Sequence, residues 1–252
     1  MGSLFTLKQK GSTRNPLRGL SHDNWHQSEI EQILVGNLDA GIGFIEDFTS
    51  AAQVDNWVKT NIGASSSTFA LTDEIGGVVD LDGVSGTVNL GSNLERADGT
   101  LGEMFQASVD SDLYFETRIK LDVNGKLFVG LSVKDTGIIS GGSNSSANHI
   151  GFEAVGTDGV VSAVTEAAGT RSSQASGVHT IVADDWVKLG FRTYGTDKVE
   201  FFVNGKVVAT LTSNIPTELM LPILAVTSDG SSGGPVMSID WVAVSHEQQI
   251  LN

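Results

Sequence analysis

Carboxylates are the reactive side chains this sequence has in excess: 30 acidic residues against 15 basic ones, with no cysteine. A pair of carboxylates at a fixed separation, one ionised and one kept protonated, can cleave a glycosidic bond. Asp110-Ser111-Asp112 followed by Glu116 is the nearest approach to such a group. Its aspartates fall in a turn ahead of a strand, so these side chains read as solvated surface carboxylates. Oxygen clusters also suit hard cations, and Asp80-Leu81-Asp82-Gly83 and Asp122 with Asn124-Gly125 each offer two ligands. Both strings are equally ordinary hairpin turns with too few ligands for a calcium loop. The absence of cysteine removes thiol nucleophiles and thiolate metal sites. No Gly-x-Ser-x-Gly elbow and no phosphate-cradling Gly-x-x-x-x-Gly-Lys-Ser/Thr string occurs. The expectation is no catalytic residue, no cofactor and no metal.

Sugar binding without hydrolysis needs an aromatic platform ringed by polar groups. Trp25, Trp57, Trp186 and Trp241 are the available indoles. Three of them fall in or beside strands with apolar neighbours, where sheet packing is their expected role. His149, His179 and His246 are isolated, and His22 and His26 lie near the N-terminus.

These groups must be positioned by strands. From Asp185 to Leu211 three strand patterns follow one another. Val187, Leu189, Phe191 and Thr193 alternate with Lys188, Gly190, Arg192 and Tyr194; Gly195-Thr196-Asp197 turns the chain; Asn204-Gly205 supplies the positive backbone angles of a tight hairpin. Phe115, Thr117, Ile119 and Leu121 share one face of another strand, with Tyr114, Glu116, Arg118 and Lys120 on the other. Strand signals recur about every ten residues from Phe44 to Val244, which suits two stacked antiparallel sheets. Phe115, Ile119, Leu121, Leu189, Phe191, Ile239 and Trp241 are expected in the central core. Serine and glycine collect in four segments, Ser65–Ser67, Ser140–Ser146, Gly169–Gly177 and Ser228–Gly234.

The first 43 residues have a different character. Lys8, Lys10, Arg14 and Arg18 precede the first acidic side chain, while the net charge of the whole chain is −15. Ser21 or Ser28 can cap a short helix carrying Ile30, Ile33 and Leu34. The acidic body disfavours nucleic acid, and no apolar run is long enough to form a membrane helix. Large apolar side chains in an extended peptide need another surface to cover them. The expected partner-binding residues of the arm are therefore Leu4, Phe5, Leu7, Lys8, Lys10, Arg14, Leu17, Arg18, Leu20 and Trp25.

The run from Trp186 through Asn204-Gly205, with the closing strand Met237-Ser238-Ile239-Asp240-Trp241-Val242-Ala243-Val244, resembles concanavalin A-like jelly rolls of the laminin-G and glucanase type. The resemblance covers roughly Phe44 to His246 and implies an all-β, two-sheet antiparallel jelly-roll sandwich with an extended N-terminal arm. The domains are then an assembly arm, 1–43, and a sandwich, 44–252. In the hydrolases of this fold class the two acids come from one strand, spaced Glu-x-Asp-x-x-Glu or with one residue more, and that string is missing here. With the arm, the resemblance implies a non-enzymatic structural protein of a tailed-phage virion, a capsid decoration or accessory protein assembled in the host cytoplasm. Its partners would be capsid or other virion proteins, or a second copy of the chain. The alternative is a carbohydrate-binding or adhesion module that holds host glycans with its Ser/Gly/Asn loops.

Overall fold

The structure, a computed structural model, describes residues 19–34, 36, 40–63, 66–72, 76–84, 86–96, 103–122, 125–140, 143–156, 158–230 and 233–248. Three short helices are α1 (His22–Trp25), α2 (Ile30–Leu34) and α3 (Ala51–Val54). The strands run β1 (Gly41–Glu46), β2 (Trp57–Ile62), β3 (Phe69–Leu71), β4 (Val79–Asp82), β5 (Gly91–Arg96), β6 (Ser111–Leu121), β7 (Lys126–Ser132), β8 (Ile139–Ser140), β9 (Ser143–Asn144), β10 (His149–Ala154), β11 (Val160–Ala167), β12 (Thr170–Thr180), β13 (Val187–Tyr194), β14 (Lys198–Val203), β15 (Lys206–Leu211), β16 (Leu221–Thr227) and β17 (Val236–Gln248).

They form the jelly-roll sandwich that the strand spacing implies. One sheet has eight strands in the order β15-β14-β13-β6-β17-β4-β3, with β1 also paired to β17. The other has seven, β12-β11-β10-β7-β16-β5-β2, and β8-β9 is a separate small ribbon. All pairings are antiparallel. Asn204 and Gly205 both take positive φ, 50° and 77°, which folds β15 directly back on β14 with Val203 opposite Lys206.

Alternation decides which side chains meet between the sheets. Phe115, Ile119, Leu121, Leu189, Phe191 and Ile239 come from the eight-stranded sheet and meet Leu127, Val129, Ile150, Phe152 and Leu224 from the other, all fully buried. The rings of Phe115, Phe191, Phe201 and Phe152 form a continuous chain of aromatic contacts across this layer, with centroids 5.2 to 5.9 Å apart.

Trp241 departs from the expected face. The β17–β6 register slips between Ile239 and Trp241, so Ile239 faces Ile119 while Trp241 faces Arg118. A bulge at Asp240 reverses the phase, and Val242 and Val244 take the core positions. Trp241 is buried in a separate cluster on the outer face, with Leu20, Trp25, Ile30 and Tyr114. Asp240, on the outer side of the sheet but itself buried, pairs with Arg118 at 2.5 Å, and the guanidinium lies 4.2 Å from the Trp186 ring.

Residues 19–34 cross the outer face of the eight-stranded sheet. Ser21 precedes α1, and the Ser28 hydroxyl accepts the Ile30 amide at the start of α2. Ile30 and Ile33 turn inward as their spacing predicts, whereas Leu34 stays 49% exposed.

Candidate functional site

The outer face of the seven-stranded sheet is built around β10. Ile150, Phe152 and Ala154 point into the core, which leaves His149, Gly151 and Glu153 on the outer side. The register carries this face across the sheet. Asn93, Ala225, Phe128, Glu153 and Ser162 form one row, and Glu95, Ile223, Gly130, Gly151 and Val164 the next. Gly130 and Gly151 face each other, and a methyl group on either would come within 2.2 or 2.5 Å of a carbonyl oxygen of the neighbouring strand. Both positions must therefore stay bare. The Phe128 ring leans over the gap, with Cζ 3.0 Å from where a Gly151 Cβ would be, and meets the His149 imidazole edge-on at 5.3 Å.

Polar groups surround that ring. Gln174 donates from Nε2 to the Glu153 carboxylate at 3.1 Å. His149 Nδ1 lies 2.7 Å from the Ala147 carbonyl, which can only accept, so Nδ1 carries the proton. The opposite ring nitrogen is 3.9 Å from the Glu166 carboxylate. At the other end Asn93 donates to the Asp135 carbonyl at 3.0 Å and to Glu95 at 3.4 Å. Burial pushes the Glu95 carboxyl above its ordinary range, and nearby Lys134 works against that shift. Residues 134–140 cross this face, seating Ile138 and Ile139 on Phe128, Leu221, Ile223 and Ala225.

The described parts of the serine- and glycine-rich segments attach to this sheet. Ser67 meets Ser92 of β5 and Lys59 of β2, Ser140 ends the crossing residues, Gly169–Gly177 leads into and forms part of β12, and Ser228 follows β16. The result is a polar rim beside a face that carries an acid, an imidazole, an amide and an aromatic ring.

Glu153 is the only carboxylate that β10 turns outward. Glu166 pairs with His149, four residues along the strand from Glu153 and about 13 Å away at the strand rise. Glu95 lies three strands over, about 14 Å away at ordinary inter-strand spacing. The strand assignment His149 to Val155 was available from the sequence, and alternation would have put His149 and Glu153 on one face. Searching for two acids on a strand instead of an acid and an imidazole passes over them.

The other sequence-derived candidates are placed as follows. Glu116 is not solvated: it is fully buried under residues 19–34, accepting the Ser21 amide and the Trp25 indole N–H, each at 2.9 Å. Burial raises its pKa, opposed by those donors and by Lys188. Asp110 lies in the turn ahead of β6 as expected, but Asp112 is already in the strand and accepts the Gly195 amide at 2.8 Å, tying the start of β6 to the β13–β14 turn. Asp80 accepts from Ser238, Asp82 from Thr68 and Asp122 from the Val236 amide, so these acids join neighbouring strands. Trp57 is in the main core and Trp186 is half-buried against Arg118. Of the arm residues, Leu20 and Trp25 pack on the chain's own eight-stranded sheet; Leu4, Phe5, Leu7, Lys8, Lys10, Arg14, Leu17 and Arg18 lie outside the described residues.

No protein-family model matches the chain, and no curated protein matches it. Solved structures do. A β-glucanase of Bacillus licheniformis is 16% identical, with 80% of this chain and 97% of that one covered at a TM-score of 0.57. An endo-β-1,3-glucanase from Pyrococcus furiosus is 14% identical over 82% and 94% of the two chains, with a TM-score of 0.56. A protein of unknown function from Shewanella oneidensis is 15% identical over 89% and 96%, at 0.59. Likeness at this identity shows the fold, the concanavalin A-like jelly roll of the glucanase type. It overturns the reading of a non-enzymatic virion decoration protein, because that reading rested on fold analogy, and the analogy leads to glycosidic hydrolases and glucanases, with no capsid context.

Proposed function

We propose that this chain recognises a polysaccharide of the β-glucan class on the outer face and serine-rich rim of its seven-stranded sheet, with Glu153 as the group that exchanges a proton with the bound sugar. The observation that carries the reading is the convergence of Glu153, Gln174, His149 and Phe128 on one face of a glucanase-type sandwich. A sugar ring needs an apolar plate and fixed hydrogen-bond partners; Phe128, His149 and Glu153 supply these groups but lie buried, Phe128 beneath Ile138 and Ile139, so the part of the site that solvent reaches is Gln174 and the serine-rich rim. Glu153 is buried and accepts a hydrogen bond from the Gln174 side-chain amide. A lone acid can assist departure of a glycosidic oxygen as general acid, while His149, about 13 Å along the strand, would serve binding. The covalent step of a retaining pair would need a second acid about 5 Å away, and β10 has His149 and Gly151 along its outer face instead.

The test is affinity electrophoresis and calorimetry with laminarin, lichenan and carboxymethylcellulose, together with mass spectrometry of products after long incubation. Binding that is lost in Gln174→Ala and Phe128→Ala supports the site. Product release lost in Glu153→Gln assigns the acid. Neither binding nor product with any of the polymers sinks the reading.

A further inference from the structure

The opposite side of the molecule has a groove that the sugar reading does not use. Residues 19–34 do not cover the eight-stranded sheet to its edge. Between α1, α2 and β1 runs an open groove of about 800 Å³, with Leu20, Trp25, Leu34 and Ile45 on its walls. A second cleft of about 440 Å³ shares Leu20 and Ile45 with it and continues past Gly19, Asp47 and Trp241. Leu34 at 49% and Ile45 at 38% exposure form an apolar margin along this trough. That is a concentration of exposed aliphatic surface which a soluble face normally avoids.

The chain itself shows what fits. Gly19 lies at the trough, so the eighteen residues that precede it are tethered there. Those residues hold Leu4, Phe5, Leu7 and Leu17 with four cations and no acid, whereas the rest of the chain has 11 basic and 30 acidic side chains, 11 − 30 = −19. Glu31 and Asp47 on the trough walls match that charge. Tethering through Gly19 also makes docking intramolecular, at an effective concentration of about millimolar for a short linker.

We infer that the trough is the seat of the chain's own residues 4–17, with the leucines and Phe5 covering the Leu20–Leu34–Ile45 margin and the cations facing Glu31 and Asp47. Trp25 and Trp241 would then lie beneath the docked segment and be shielded from solvent.

The absence of native cysteine makes the test direct. Full-length Leu17→Cys and Phe5→Cys are each combined with Ile45→Cys or Leu34→Cys and treated with a short bis-maleimide. Crosslinks within one chain that high salt reduces in the otherwise native sequence and that Arg14→Glu/Arg18→Glu reduces at low salt support the docking, as does greater acrylamide quenching of tryptophan in Leu4→Asp/Phe5→Asp/Leu7→Asp. Crosslinks between chains with a concentration-dependent dimer would give the trough to a second copy and overturn the inference. So would no crosslink from any pair, with quenching unchanged in the triple variant. Glycan binding is measured in parallel, since its loss or retention concerns the other sheet.

Discussion

Glu116 is the group on which docking of residues 19–34 most depends. Its carboxylate has no exposure, and one oxygen, Oε2, accepts both Ser21 N–H and Trp25 Nε1–H. The other oxygen has no hydrogen-bond donor among the described residues. A hydrogen bond to a charged group contributes about 1.5–3 kcal/mol, so Glu116→Ala removes about 3–6 kcal/mol of favourable contact. Relief of a buried charge returns part of this, since an ion taken from water loses several kcal/mol of hydration. The net expectation is a loss of about 1–3 kcal/mol, concentrated in residues 21–34. Glu116→Gln keeps one acceptor oxygen where both donors converge and removes the charge, so it should lie within about 1 kcal/mol of the native chain. The pH dependence follows from the same burial. A carboxyl whose folded pKa stands above its unfolded value binds more protons when folded, so its contribution is fully present below the unfolded value near 4.5 and is lost as pH rises through the folded one. Stability should therefore decline with rising pH in that window, and the slope should shrink in Glu116→Gln. It should not vanish, because burial also raises Glu46, Glu95 and Glu247. Urea titrations followed by tryptophan emission at several pH values, with hydrogen exchange over residues 21–34, measure both effects. An unchanged midpoint and unchanged exchange in the Ala variant, or an undiminished slope in the Gln variant, would refute the clamp.

Phe191→Ala should cost about 3–5 kcal/mol in chemical denaturation, because the ring is fully buried between Phe115 and Phe201. Gly151→Ala should be clearly destabilising by melting temperature, since its methyl group would press on the Val129 carbonyl, while an exposed Val109→Ala control should not shift it. Burial works to raise the Glu200 pKa, but hydrogen bonds from Lys198, Arg192 and Tyr194 outweigh it and hold the carboxyl at about 2. Its contribution is present above the unfolded value near 4.5 and is lost as pH falls towards 2, so Glu200→Gln should lose stability near neutral pH and show a weaker acid transition, read by circular dichroism.

Much of the fold is legible because alternation and turn chemistry agree locally. Asn204-Gly205 names its own hairpin, and the two faces of Tyr114–Leu121 separate as their period requires. Alternation fails at Asp240, where one extra residue reverses every later side chain of β17 and sends Trp241 to the outer face. Nothing in Ile239-Asp240-Trp241 announces the bulge, since Asp240 in an uninterrupted strand would also point outward. Its cause is tertiary: Arg118 takes Asp240, and Leu20 and Trp25 form the lid over Trp241. Glu116 is a related case. Period-2 reading puts it on the outer side of the sheet, and outer ordinarily means wet. The face is dry because residues 19–34, almost a hundred positions earlier, lie across it.

The candidate site was hidden for a comparable reason. A two-acid motif is one-dimensional and can be sought by spacing, whereas Glu153, Gln174, His149 and Phe128 converge only through the pairing of β7, β10, β11 and β12. Gly130 and Gly151 belong to that site although they hold no chemistry. Their missing side chains make the hollow that Phe128 fills, and they are opposite one another only because β7 and β10 are in register there. If the outer face of the seven-stranded sheet binds sugar, Phe128 is therefore the side chain that must either yield its place or serve as the plate. Phe128→Trp separates these cases. A larger plate should tighten polysaccharide binding, whereas a ring that must move aside should bind more weakly when enlarged. Equal affinity in the native, Trp and Ala forms would remove the face from consideration, because Phe128 lies directly across from Glu153.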